Sequence, residues 1–407
     1  MRHLTGLAKW IRLWRARPRS RGAPLPLGFI LSFLKRLRHD KLTELDDVTY
    51  ISYRYPPLES PARRTSRRGL ERIRAGERPL MTLCVATTSR CPMRCVYCSA
   101  ENYPDAPDMS TSRLRSLVAE AQDLGAYAID FSGGEPLLRP DLPEVVAAVD
   151  DRSVTVLSTS GFNFPEMSRD LRRAGLDYVV VSLDSFDARV NNERRGHPDA
   201  TGIAVKAVRA AVREGFYTAL NMVADETMLE PGAFEAYLRA AQALGVHEVS
   251  PVAPRACVRL GRHRFRGFTP AQVDRLRRLQ VRFNRMTHLP TVTSLDYAES
   301  YYGCPGGSMH CYVSAAGDVT PCPGFPVSFG NVNDQPLAEV YENMRRHIRQ
   351  PFDVCPLTQV FRLLEDVPDE ALPVPDAARV ERVFRELNME SRPIPAFWRQ
   401  LGLRKDG

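Results

Sequence analysis

The sequence predicts an α/β protein built on a partial (β/α)6 barrel, with a helical N-terminal extension and a small C-terminal cysteine-rich α+β domain. Three observations predict it. Between residues 80 and 285, six short apolar runs alternate with amphipathic stretches, the pattern of a parallel sheet with helices outside. Gly125, Gly175, Gly215 and Gly245 each follow such a stretch, where a helix ends in a residue of positive φ. Seven of the nine cysteines fall into two groups, one just after the first apolar run and one beyond residue 300.

Residues 1–79 read as a basic helical extension and linker. Leu4, Leu7, Ile11 and Trp14 recur at helical spacing until Pro18, Gly22, Pro24 and Pro26 break the pattern. Phe29, Ile30, Phe33, Leu34 and Leu37 then face away from Lys35, Arg36 and Arg38, which predicts a second amphipathic helix. Residues 56–79 are rich in Pro and Arg and read as a linker wrapping the next domain. Within 80–285 the strand candidates are Met81–Thr87, Ala128–Phe131, Val154–Ser158, Tyr178–Ser182, Ala219–Val223 and Val246–Pro251. Helix candidates lie at Arg113–Leu124, Pro143–Val149, Pro165–Ala174, Gly202–Glu214 and Ala233–Leu244. Six units are two short of a closed eight-stranded barrel, so an open barrel is expected. Residues 286–366 have little helical periodicity, a hairpin over Tyr312–Thr320 turning at Gly317-Asp318, and a helix over Leu337–Arg346. Residues 367–407 are again helical, best over Val380–Leu387.

Composition excludes some classes. The 407 residues are 43% hydrophobic and 26% charged, ordinary for a globular protein, and no apolar run approaches a bilayer span. No secretory signal is expected. Nine cysteines in a chain this long argue for metal rather than a disulfide framework, and hence for the reducing cytoplasm. Of the net charge of +8, residues 1–80 supply +12, from 19 Lys/Arg against 7 Asp/Glu. The extension therefore reads either as helices packing across the barrel or as a basic amphipathic anchor giving peripheral contact at the inner membrane surface.

Directly after the first strand comes Cys91-Pro-Met-Arg-Cys95-Val-Tyr97-Cys98. Three thiolates at this spacing can bind three irons of a four-iron cubane and leave the fourth open. The loop resembles the signature of the radical S-adenosylmethionine superfamily, and later motifs match it. Ser132-Gly133-Gly134-Glu135-Pro136 is similar to the GGEP motif, which implies that Gly133, Gly134 and Glu135 hold the methionyl amino group. Ser158-Thr159-Ser160-Gly161 is similar to the turn that approaches the ribose, with Ser160 in place of Asn. Ser182-Leu183-Asp184, followed by Glu193-Arg194-Arg195-Gly196, resembles the SLD…RG segment. The resemblance implies that Ser182 and Asp184 face the ribose and that Arg194 or Arg195 pairs with the cofactor carboxylate. It implies a catalytic [4Fe-4S] cluster on Cys91, Cys95 and Cys98, S-adenosylmethionine as cofactor, and a 5′-deoxyadenosyl radical that abstracts hydrogen. Tyr97, the aromatic residue before the third cysteine, joins the cofactor site.

Cys304, Cys311, Gly317-Asp318-Val319-Thr320-Pro321-Cys322 and Cys355 resemble the SPASM/twitch extension of such enzymes. That implies a second, auxiliary [4Fe-4S] cluster on Cys304, Cys311, Cys322 and Cys355. Zinc on the same thiolates is the alternative at both sites. Cys84, inside a strand, reads as a core residue. Cys257 follows the sixth strand and is the candidate hydrogen donor to a substrate radical, or a loop cysteine. Arg255, Arg259, Arg262, Arg264, Arg266 and His263 crowd that loop and suit an anionic substrate. His310 and Tyr312 are candidates for proton transfer.

The leading expectation is hydrogen abstraction from a small-molecule or peptide substrate, with a flavodoxin or ferredoxin as reductant and no nucleic acid. A lipid-modifying enzyme at the membrane surface and a non-catalytic iron–sulfur or zinc scaffold are the alternatives.

Overall fold

The computed structural model describes residues 1–16, 25–99, 107–257 and 267–404. The extension contains β1 (Arg2–Leu4), α1 (Gly6–Arg15), α2 (Leu27–Leu37), β2 (Leu42–Leu45), β3 (Val48–Tyr50) and α3 (Ala62–Arg74). The three strands form a small antiparallel sheet. The two helices expected from spacing are present. α3 corrects the linker reading: arginine is a good helix former, and Ala62, Gly69 and Ile73 give the helix a buried face.

This extension plugs one end of the barrel. The Lys41 ammonium donates to the carbonyls of Met286 (2.8 Å), Leu289 (2.7 Å) and Pro290 (3.0 Å). Ser52 Oγ and the Tyr53 amide donate to the Glu248 carboxylate at 2.8 and 3.0 Å. Tyr50 stacks on Tyr217 at 4.3 Å between ring centroids.

The barrel follows as β4 (Thr82–Ala86), α4 (Thr111–Leu124), β5 (Ala128–Ser132), α5 (Leu142–Val146), β6 (Val154–Thr159), α6 (Phe164–Arg173) and β7 (Tyr178–Ser182). Then come α7 (Ala188–Arg195), α8 (Ala200–Arg213), β8 (Tyr217–Val223), α9 (Ala233–Ala243), β9 (Glu248–Val252), α10 (Pro270–Phe283) and β10 (Thr291–Val292). Each of the six expected strands is present within two residues of its expected limits. Gly125, Gly175, Gly215 and Gly245 hold φ of +110°, +92°, +75° and +79°, as helix ends require. Outward residues such as Leu83, Val85, Ile129, Phe131, Val179 and Val181 pack against the helices in one continuous core.

After β10 the chain forms α11 (Leu295–Tyr302), β11 (His310–Val313), β12 (Val319–Thr320), α12 (Leu337–His347), α13 (Leu357–Leu363), α14 (Ala377–Leu387) and α15 (Ala396–Leu401). The nine-stranded sheet has the order β10-β9-β8-β7-β6-β5-β4-β11-β12, parallel throughout except for the β11–β12 hairpin. Cys311 pairs with Leu83 across β11 and β4, so the cysteine-rich segment extends the central sheet. The hairpin expected over Tyr312–Thr320 is present as β11 and β12; two-residue β10, and the pairing of β11 with β4, were not legible from periodicity. Among the described residues, no helix is long and apolar enough to cross a membrane.

Candidate active site

Parallel strands deliver their following loops to one end of the sheet, and the sequence motifs collect there. The cysteine loop leaves β4 and is clamped from two sides. On one side, the Gly134 amide donates to Thr88 O (2.8 Å) and the Glu135 amide to Arg90 O (2.7 Å). A Cβ at Gly133 would stand 2.5 Å from Thr88 O, and one at Gly134 would stand 2.6 Å from Ser89 O, so only glycine lets the two segments meet. On the other side, the Arg94 and Val96 amides donate to Arg195 O (2.9 Å) and Arg194 O (3.0 Å) at the end of α7. The adjoining Gly196 has φ +61°, and its Cβ would meet Arg94 Cβ at 2.7 Å. Three motifs far apart in sequence are thereby tied by main-chain hydrogen bonds.

Glu135 is fully buried, and its carboxylate is directed inward. It accepts from Thr159 Oγ1 (2.6 Å), the Ser160 amide (2.8 Å), Ser160 Oγ (2.5 Å) and the Leu137 amide (3.2 Å). Burial pushes its pKa up, and these four donors oppose the shift. The side chain joins the β5 turn to the β6 turn. Ser160 thus has a defined partner despite replacing Asn. Thr159 also accepts from the Gly161 amide at 2.8 Å.

Asp184 lies beyond Ser182 at the end of β7. Its carboxylate accepts from Tyr97 Oη, from Arg195 Nη2 (2.9 Å) and from the Val223 amide (2.9 Å). Both arginine guanidinium groups sit over the Tyr97 ring, at 5.4 Å for Arg194 and 5.3 Å for Arg195. Their other contacts separate them. Arg194 donates to Asp225 (2.5 Å) and Val223 O (2.7 Å), whereas Arg195 Nη1 reaches Cys95 Sγ at 3.9 Å. The Nε of Arg195 is buried without a hydrogen-bond partner among the described residues. A cation with spare donor capacity beside Cys95 suits an anionic cluster there. Three thiols on one clamped loop, next to that cation, have the donor chemistry of an iron–sulfur cluster site.

The second cysteine group is built from three segments. Cys304 exchanges backbone hydrogen bonds with Phe352 (2.8 and 2.9 Å), three residues before Cys355. Cys322 follows the β11–β12 hairpin. Burial first, then Cys355 close by, pushes the Cys322 thiol up to about 12, and burial pushes Cys355 up to about 11. Cys304 is raised by burial and then by Cys355 among its neighbours. Thiols so raised are protonated at neutral pH until a metal displaces the proton.

Cys311 stands apart from this group, a correction to the four-cysteine set. It is fully buried in the core shared with Leu83 and Val85, and burial alone raises its pKa. Alternation along β11 puts Cys311 on the helix-packed side and Tyr312 with Cys84 and Ala86 inside the barrel. Arg255 is also committed, donating to Asp296 and Glu299 at 2.8 Å each beside the auxiliary cysteines. Arg259, Arg262, Arg264, Arg266 and His263 lie outside the described residues. Cys257 is 2% exposed, five residues beyond β9. His310 shares a hydrogen bond with Thr82 (2.8 Å), and burial lowers its pKa to about 4.

Sequence reasoning missed Asp130. It lies on β5, accepts from Ser158 Oγ at 2.9 Å, and has its pKa raised to about 7 by burial. A lone acid inside an apolar strand run was the available signal.

Comparisons with known proteins agree with this geometry. Residues 85–243 match the model of the Radical SAM superfamily, and residues 304–359 match SPASM, an iron-sulfur cluster-binding domain. The AdoMet-dependent heme synthase of Methanosarcina barkeri is 27% identical over 293 residues, 65% of this chain and 83% of that protein. The PqqA peptide cyclase of Granulibacter bethesdensis is 34% identical over 171 residues, 41% of this chain and 45% of the cyclase, so the match spans less than half of that relative. Among solved structures, Streptococcus suis SuiB bound to precursor peptide SuiA aligns with a TM-score of 0.57 at 15% identity, covering 76% of this chain and 78% of SuiB. That likeness shows the fold.

Proposed function

We propose, from the premise that this chain is a radical S-adenosylmethionine enzyme with a SPASM-type iron–sulfur domain, that it abstracts hydrogen from a small-molecule or peptide substrate and carries one auxiliary [4Fe-4S] cluster. The observation that carries the reading is the cysteine loop clamped between the Gly133–Glu135 turn and the end of α7. When bound, the reduced catalytic cluster and S-adenosylmethionine supply an electron and a 5′-deoxyadenosyl radical that takes hydrogen from carbon.

The chain's own residues hold and orient. Cys91, Cys95 and Cys98 are the catalytic cluster's ligands, and Arg195 stabilises the negative charge at Cys95. The main chain of Gly133 and Gly134 receives the methionyl amino group, on a turn fixed by the Glu135 carboxylate. Tyr97, Thr159, Ser182 and Asp184 border the adenosyl side, and Arg194 is the candidate for the cofactor carboxylate. Cys304, Cys322 and Cys355 would hold the auxiliary cluster. Cys257 remains the candidate hydrogen donor. The electron comes from a flavodoxin or ferredoxin, in the cytoplasm. A heme synthase and a peptide cyclase among the relatives support both substrate classes, and stimulation of 5′-deoxyadenosine formation by a peptide panel or a small-molecule panel would assign one.

The cluster count is tested by anaerobic reconstitution followed by iron and sulfide analysis. Wild type is expected to hold about eight irons per chain and Cys322→Ala about four, with the catalytic cluster kept. About four irons in wild type, or no loss in the variant, would remove the auxiliary cluster from the account.

A further inference from the structure

The described surface exposes ten large hydrophobic side chains, and eight of them fall within residues 1–34: Met1, Leu7, Ile11, Trp14, Leu27, Ile30, Leu31 and Leu34. They are not scattered. Leu7, Ile11 and Trp14 are spaced four and three apart along α1. Leu27, Ile30, Leu31 and Leu34 form the same kind of row along α2. The opposite faces of these helices are covered by protein. Trp10 and Leu13 pack toward Leu37 and Leu42, and Phe29 and Phe33 lie 4.7 and 6.5 Å from the Phe397 ring on α15.

A helix apolar on two faces needs apolar surroundings on both, and α2 receives them on one. The two helices are also tied together. The Lys9 ammonium on α1 caps the end of α2 by donating to Leu37 O (2.8 Å), Arg38 O (3.1 Å) and Asp40 O (2.8 Å). Carboxylates from later segments pair with some of the basic residues here, Glu44 and Glu59 with Arg12 and Asp40 with Arg36, but the helices themselves are basic. The first 39 residues contain ten Lys/Arg and neither Asp nor Glu, and Arg15, Lys35 and Arg38 are exposed beside the apolar rows.

We propose that α1 and α2 form a peripheral docking face for a bilayer surface rich in anionic lipid, with Leu7, Ile11, Trp14, Leu27, Ile30, Leu31 and Leu34 entering the interface. Apolar rows alone would equally fit a second copy of the chain. The exposed Arg15, Lys35 and Arg38 beside the rows decide for the lipid, because two copies would bring these cations together across the contact. Indole at the rim and Arg or Lys at the headgroups are the distribution an interfacial helix adopts. The inference goes beyond the proposed reaction and does not depend on it.

The test is flotation of the full-length reconstituted enzyme with vesicles of phosphatidylcholine alone and of phosphatidylcholine with about one-third phosphatidylglycerol. Binding to the anionic vesicles is expected to be about 100-fold tighter, from three exposed cations near the surface, and to weaken with salt. The double variant Leu31→Glu/Leu34→Glu is expected to lose flotation while keeping wild-type 5′-deoxyadenosine formation, since neither residue belongs to the site. Arg15→Gln/Lys35→Gln/Arg38→Gln should retain the apolar rows and lose the anionic preference. No wild-type flotation, flotation retained by the double variant, or a wild-type dimer that the double variant dissolves would each overturn the proposal.

Discussion

Replacing Gly134 with alanine should disable the site without touching a cysteine. A Cβ there stands 2.6 Å from Ser89 O and 2.6 Å from the Arg90 carbonyl carbon, and nearer still to Arg90 O. Ordinary contact begins at 3.4 Å, so one strand of the clamp must retreat by more than about 0.8 Å (3.4 minus 2.6), because Arg90 O is nearer than 2.6 Å. Both sides are main chain, and the Gly134–Thr88 and Glu135–Arg90 hydrogen bonds oppose the retreat. The neighbour that moves is Arg90, adjacent to Cys91. Overpacking of this kind costs about 1–3 kcal/mol of stability. A displacement near 1 Å at a reacting centre costs about 100-fold in rate. The assay is 5′-deoxyadenosine formed per reconstituted cluster, with the melting temperature measured alongside. Gly28→Ala is the control, because its Cβ meets only Gln400 Cγ at 3.9 Å. Gly134→Ala at the wild-type rate and full iron content would refute the clamp as what positions the cluster loop.

Three further outcomes follow from the same geometry. Cys311→Ala should retain all auxiliary iron by chemical analysis and cost about 1 kcal/mol in urea unfolding, since that thiol fills core space; iron loss would restore it as a ligand. Lys41→Met should destabilise the protein by about 3 kcal/mol in urea unfolding, because three buried carbonyls lose their donor; an unchanged midpoint would show that the extension docks by other contacts. Asp130, raised from 3.8 to about 7, binds its proton in the folded state between about pH 4 and pH 7 while the unfolded chain has released it. Its contribution to stability therefore falls as pH rises through that window, and Asp130→Asn should flatten the profile; equal slopes for variant and wild type would count against it.

The barrel was legible because its signals are local. An apolar run, an amphipathic stretch and a closing glycine repeat often enough to place each of the six strands. The cofactor motifs were legible as residues, but their geometry was not. The sequence offered two neighbouring arginines without a choice, and only folding brings Arg195 to Cys95 and Arg194 to Asp225. Glu135 was legible as a site residue from its motif, but its neighbours were not. Its actual partners, Thr159 and Ser160, come from the next strand, 24 and 25 residues on. Cys311 misled for a related reason: spacing counts thiols, whereas strand alternation decides which side of the sheet receives them. α3 and β1–β3 were missed because long-range pairing and one buried face, rather than local composition, stabilise them.

The most direct test of the account is reductive cleavage of S-adenosylmethionine. Wild type and Cys95→Ala would be reconstituted anaerobically, given S-adenosylmethionine and dithionite, and assayed for 5′-deoxyadenosine with iron counted in the same samples. The account predicts 5′-deoxyadenosine from wild type, none from Cys95→Ala, and about four irons remaining in the variant on Cys304, Cys322 and Cys355. Equal formation by the variant, or none from a wild type holding its full iron, would contradict it.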